Sequence, residues 1–162
     1  MMLVSSFAHS SYFVDTPDRS IDEIMSGCFS DHDCGLQAEK LIPLFAKKRG
    51  MTPDKVKNVL NTCLSPDRNM SFCASYELFA LRFELNTKVS LLVEAGGKSC
   101  ERPLRNQISA WEKSVTNLCK KKAEKQTEGT WGINTYEIEI GCEIDSTKSI
   151  LKNFETRVKC LP

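Results

Sequence analysis

The sequence predicts an all-α protein, a single-domain disulfide-stapled helical bundle ending in a long antiparallel helical hairpin. Apolar residues recur at helical spacing through most of the chain beyond residue 35, and no strand pattern with hairpin turns competes. Eight cysteines, an even number with no paired metal-ligand spacing, point to disulfides and an oxidising compartment. Facing residues of an antiparallel helical hairpin have position numbers with a constant sum. Cys100 and Cys160 sum to 260 and Cys119 and Cys142 to 261, so two disulfides fit one hairpin. Each helix rises roughly 1.5 Å per residue, so the two 18–19-residue spacings match in length. The hairpin's centre falls in Glu128-Gly129-Thr130-Trp131-Gly132, which reads as a turn.

The elements follow in order. Met1 to Ala8 resembles the tail of a secretory signal, with the small residues Ser6 and Ala8 at −3 and −1. It lacks a basic start, and an ordinary frayed terminus is the alternative reading. Residues 1–17 are therefore taken as a residual signal tail and extended segment, 18–62 as an N-terminal helical extension and 63–162 as the main helical domain. Ser20 can cap a short helix over 21–28, with Asp22 and Glu23 in its first turn. A second helix over 35–49 is interrupted by Pro43 and stopped by Gly50. Thr52-Pro53 is an N-cap followed by proline at the first helical position, opening a third helix to about Cys63.

Ser65 to Asn69 is a turn. The longest periodic segment, 71–95, carries Phe72, Tyr76, Phe79 and Phe83, with Leu78, Leu81 and Leu85 on the adjoining face, and Gly96-Gly97 ends it. The next helix holds Pro103 early and continues through Ile108, Trp111, Val115 and Leu118. The last begins near Asn134 and carries Ile140, Ile144, Ile150, Leu151, Phe154 and Val158. Tyr136 to Ile140 alternates with period two but runs straight into the helical pattern. For the remaining cysteines the local pairs Cys28–Cys34 and Cys63–Cys73 are favoured, among the 105 pairings that eight cysteines permit.

A net charge of +1 with no aromatic-interleaved basic surface argues against a nucleic-acid binder. The apolar runs fall short of the ~20 residues a membrane span needs. Asp31-His32-Asp33-Cys34 holds metal-friendly groups, but their adjacency points them in divergent directions. No nucleophile elbow, phosphate loop or zinc-protease motif occurs, and paired cysteines leave no free thiol. The chain is read as a non-enzyme with no cofactor and no metal. Lys120 to Lys125 complements the dipole at its helix's C-terminus.

Charge is segregated. Residues 1–35 hold six acids, Asp31 and Asp33 among them, against Arg19 alone; residues 134–146 hold Glu137, Glu139, Glu143 and Asp145 with no base. Such patches can steer a cationic partner, the alternative being a merely solvated face. Trp131 stands between Gly129 and Gly132 in the hairpin turn, positioned either to contact a partner or to pack on the hairpin's own end. The partner-binding candidates are thus Glu128, Thr130, Trp131, Tyr136, Glu137 and Glu139 at the hairpin end, with Asp31 and Asp33 near the N-terminus.

Cys63-x9-Cys73-Ala74, then Leu85-Asn86, Trp111-x7-Cys119, Gly129-Thr130, Cys142 and Thr147, resembles the lysozyme inhibitor LprI-like family of exported bacterial proteins across residues 63–160. The chain departs from the family's pattern at Arg82, where an acid is usual, at Val115-Thr116 in place of Arg-Asp, and at Ile150 in place of arginine. The resemblance implies a small helical, disulfide-bonded envelope protein and, in characterised members, inhibition of lysozyme. The expectation is a periplasmic or secreted inhibitor or immunity protein that occludes a peptidoglycan-cleaving muramidase. The alternative is an envelope structural or adaptor protein.

Overall fold

The computed structural model describes residues 34–63, 68–128 and 133–160, with side chains from Lys40 and Thr135 onward in the first and third segments. Asp31, Asp33, Thr130, Trp131, the expected helix over 21–28 and the Cys28–Cys34 pair lie outside the described residues. Six helices occupy the rest: α1 (Cys34–Arg49), α2 (Pro53–Asn61), α3 (Met70–Gly96), α4 (Lys98–Gln126), α5 (Ile133–Lys152) and α6 (Phe154–Arg157). No strand occurs among the described residues, so the molecule is all-α. It divides into two compact units, one reaching to Ala80 and one beginning at Leu81.

In the first unit, α1 runs through Pro43 where the sequence predicts an interruption. Proline deletes one backbone hydrogen bond, but Pro43 itself is exposed while Leu41, Phe45 and Ala46 around it are buried, and their packing holds the helix together. Gly50, at φ 63°, ends it as expected. Thr52 caps α2 by accepting a hydrogen bond from the Lys55 backbone N–H at 3.3 Å, and Asn69 caps α3 by accepting from Phe72 N–H at 3.0 Å. Phe45 is the hub of this core, its ring 5.5 Å from Phe72, 5.2 Å from Tyr76 and 5.3 Å from Phe79. The first two meet edge to face, the arrangement that ring quadrupoles favour. Cys63 and Cys73 are bonded with Cα atoms 5.9 Å apart, closing the turn between α2 and α3.

The second unit is built around Leu85 and Val89 of α3, Leu104 and Ile108 of α4, Ile150 of α5, and Phe154 and Val158 beyond it. Helices α4 and α5 form the hairpin, joined by Cys119–Cys142 (Cα separation 5.5 Å) near the turn and by Cys100–Cys160 (5.3 Å) at the far end. This is the register that the position sums predict.

The buried side of α4 differs from the expected one. Cys100, Leu104, Ile108, Cys119 and Ala123 are buried and Trp111 is half-buried, whereas Leu118 is 62 % exposed. Ile108 and Cys119 are eleven residues apart, three helical turns, so the disulfide fixes the seam and rotates Leu118 off it. The last helix also departs from expectation. It breaks at Asn153, and after the single turn of α6 the chain is extended at Val158 (φ −111°, ψ 110°). Beyond the break Phe154 and Val158 are buried in the core and Cys160 is bonded to Cys100.

The junction between α3 and α4 depends on two glycines for different reasons. Gly97 has φ 78°, a conformation that side chains with a Cβ resist. At Gly96 the constraint is space, because a Cβ there would stand 2.5 Å from Cys100 Sγ and 3.7 Å from Cys160 Sγ.

Candidate functional site

The hairpin's turn end is where the described candidates gather. Helix α4 closes with Thr127, whose N–H and hydroxyl both donate to the Ala123 carbonyl, at 3.0 and 2.9 Å. Glu128 follows at φ 53°, the one described non-glycine residue with a left-handed backbone. That position after a helix usually belongs to glycine, so a glutamate there is locally unfavourable, a pattern that recurs at functional sites. Glu128 is exposed, and Tyr136, in the first turn of α5, is 43 % exposed. Glu137 and Glu139 are half-buried.

The acidic side of α5 is compensated more than its sequence suggests. Partial burial pushes the Glu139 carboxyl above its ordinary range, as do the nearby charges of Glu143 and Glu124, while Lys120 of α4 pulls it back. Asp145 is likewise pushed up by desolvation, with Lys122 opposing. The lysine run thus faces acids across the hairpin, in addition to complementing its own helix's dipole. Glu143 is committed elsewhere: it accepts a 2.6 Å ion-paired hydrogen bond from Arg82 of α3.

The Arg82–Glu143 pair ties α3 to α5. Two further side chains flank the pair. Asn86 donates to the Arg82 carbonyl at 3.0 Å, and the Thr147 hydroxyl donates to the Glu143 carbonyl at 2.7 Å. Leu85 is core, Trp111 packs against the core, and Cys63, Cys73, Cys119 and Cys142 are bonded. These residues build the frame of the fold.

Sequence reasoning missed the Arg82–Glu143 pair and the burial of Glu77 (2 % exposed) and Glu84 (6 %) in α3. Burial raises the Glu84 carboxyl to about 7, against the opposing pull of Lys88. A helical-spacing count treats each as a polar interruption, and only the partner elements reveal that they are inside. Among the described residues no cluster of three or more His, Cys, Asp or Glu could hold a metal, and no helix is long and apolar enough to cross a membrane. The chain matches no family model, no curated protein and no solved structure.

Proposed function

We propose that this is an exported inhibitor or immunity protein that binds a peptidoglycan-cleaving muramidase, either a host lysozyme or a rival bacterium's toxin, and occludes its cleft. The single observation that carries the reading is the LprI-like set of residues across 63–160, whose four cysteines are bonded in pairs that brace both units. Three disulfides fit the oxidising compartment that export implies. The Cys119–Cys142 bridge between the hairpin helices limits the freedom lost on binding, which suits the hairpin end, with Glu128, Tyr136, Glu137 and Glu139, to covering a preformed cleft. Muramidase clefts hold two catalytic carboxylates and a row of sugar subsites. A projection that fills those subsites blocks the reaction without any chemistry of its own.

The test is titration of purified protein into a panel of muramidases, reading calorimetric binding and the rate of cell-wall clearing. Inhibition at micromolar concentration, weakened at least tenfold by Trp131→Ala together with Glu137→Ala, is the expected result. No binding and no slowing of any muramidase overturns the reading.

The alternative, an envelope adaptor, draws support from the lysines of α4 that offset the acids of α5, because a neutralised face steers a basic enzyme poorly. Pulldown from envelope extracts separates the two: a muramidase is enriched under the first and absent under the second.

A further inference from the structure

The C-terminal segment from Phe154 to Cys160 is a short strap lying on the core of the second unit. Its own secondary structure is one helical turn, far below the length at which a helix is stable by itself. It is held by the buried side chains of Phe154 and Val158, by the Gln107 amide donating to the Arg157 carbonyl at 3.0 Å, and by Lys88 lying 5.9 Å from the Phe154 ring. The remaining tie is covalent, Cys160 to Cys100.

The three described disulfides differ in access. Cys63, Cys73, Cys119 and Cys142 are all buried, at 0, 4, 0 and 9 % exposure. Cys100 is buried too, at 4 %, but Cys160 is only half-buried, the most exposed of the six. Thiol–disulfide exchange requires such access. The buried partner is also ready for the reduced state, since Cys100 Sγ lies 3.3 Å from the Gly96 carbonyl oxygen, an acceptor for the thiol proton.

We propose that Cys100–Cys160 is a redox latch: a dithiol reductant opens it ahead of Cys63–Cys73 and Cys119–Cys142 and frees the 154–160 strap, while the α4–α5 hairpin stays joined. One thiolate of the reductant attacks Cys160 Sγ. The Cys100–Cys160 bond breaks, a mixed disulfide forms at Cys160, and Cys100 leaves as a thiolate that takes a proton. The second thiol of the reductant then attacks its own sulfur in the mixed disulfide and releases Cys160 as a thiol. The reductant becomes a disulfide, and two electrons and two protons have passed to the protein. Lifting the strap removes Phe154 and Val158 from the core cluster they share with Val89, Leu104 and Ile108. The latch is independent of whether the chain binds a muramidase.

The test is stepwise reduction of the full chain with dithiothreitol, alkylating newly formed thiols and mapping them by mass spectrometry, with amide hydrogen exchange on each product. The expected first product of the three carries free Cys100 and Cys160, with exchange protection falling at least about tenfold at residues 154–160 and little changed at 119–142. The Cys100→Ser, Cys160→Ser double variant should reproduce that local loss without reductant. Earlier opening of Cys63–Cys73 or Cys119–Cys142, or unchanged protection of the strap once Cys100–Cys160 is open, overturns the proposal. If the double variant unfolds globally, the bond is not a local latch and the proposal likewise fails; the wild-type reduction series reads the same point without the variant.

Discussion

Two acidic residues of α3 and α5 show how burial turns charge into conditional stability. Glu84 has its folded pKa raised to about 7 from 4.5 by desolvation. The folded state therefore binds this proton more tightly than the unfolded chain does. The stabilising contribution is fully present below about pH 4.5 and is lost as pH rises through about 7. Glu84→Gln should abolish that dependence and stabilise the protein by roughly 2 kcal/mol at pH 8, with little effect at pH 4.5. Urea midpoints across that range check it, and an equal gap at both ends sinks it. Glu143 is a different case, a nearly buried carboxylate ion-paired with Arg82. Arg82→Met strands that charge and should cost about 2 kcal/mol, whereas Arg82→Met with Glu143→Met should recover most of the loss, because a buried pair is worth little against a well-packed apolar one. A denaturation cycle over the four proteins measures the coupling directly.

At the level of elements, the α3–α4 junction gives the sharpest prediction. Alanine normally improves on glycine inside a helix by up to about 1 kcal/mol. At Gly96 it should instead destabilise, by about 1–3 kcal/mol, because its Cβ meets the Cys100 sulfur. In a Cys100→Ala, Cys160→Ala background the obstacle is gone, and Gly96→Ala should become neutral or favourable; thermal melts of the four combinations read the change of sign. Much of this layer was legible beforehand. Thr52, Pro53, Gly50 and Gly96-Gly97 mark helix ends through local backbone chemistry, and the hairpin register follows from helical rise alone. What could not be read locally depends on contacts distant in sequence. The stop at Asn153 precedes the turn that leads to Cys160 and its bond to Cys100, more than fifty residues back, and the exposure of Leu118 goes with the seam that holds Cys119 against Cys142. The partner of Arg82 is Glu143, 61 residues on, which no local pattern reveals. Of the hairpin-end candidates, Glu128 and Tyr136 are exposed while Glu137 and Glu139 are half-buried, and the countercharges on α4 that face Glu139 and Asp145 have no local signal in the sequence. Lys120 and Lys122 already had a sufficient local explanation in the dipole of their own helix.

For the molecule as a whole, each compact unit carries its own covalent brace, and the second carries two. A bridge constrains the unfolded chain more as its loop grows. Cys119–Cys142, spanning 23 residues, should therefore contribute about 3 kcal/mol. Replacing both with alanine should lower the melting temperature without loss of helix content in far-UV circular dichroism. Retention of the wild-type melting temperature would mean that the unfolded chain holds the hairpin together unaided. Packing of Leu104, Ile108 and Ile150 keeps the helices paired in the native state either way.

The two hairpin bridges are nested, one loop inside the other, and this has a consequence for biogenesis. A chain oxidised as it emerges, N-terminus first, presents Cys100 and then Cys119 before either native partner exists. Among the hairpin's four cysteines, the first bond available to an oxidase is the wrong one, Cys100 to Cys119. Those two stand about 28 Å apart once α4 is helical, so the mispaired chain cannot complete its helix and must be reshuffled. Oxidative refolding should accumulate this species, and a disulfide isomerase should speed its conversion to the native pairing. Refolding that proceeds equally fast without isomerase, with no Cys100–Cys119 peptide at any time, would show that helix formation outruns oxidation.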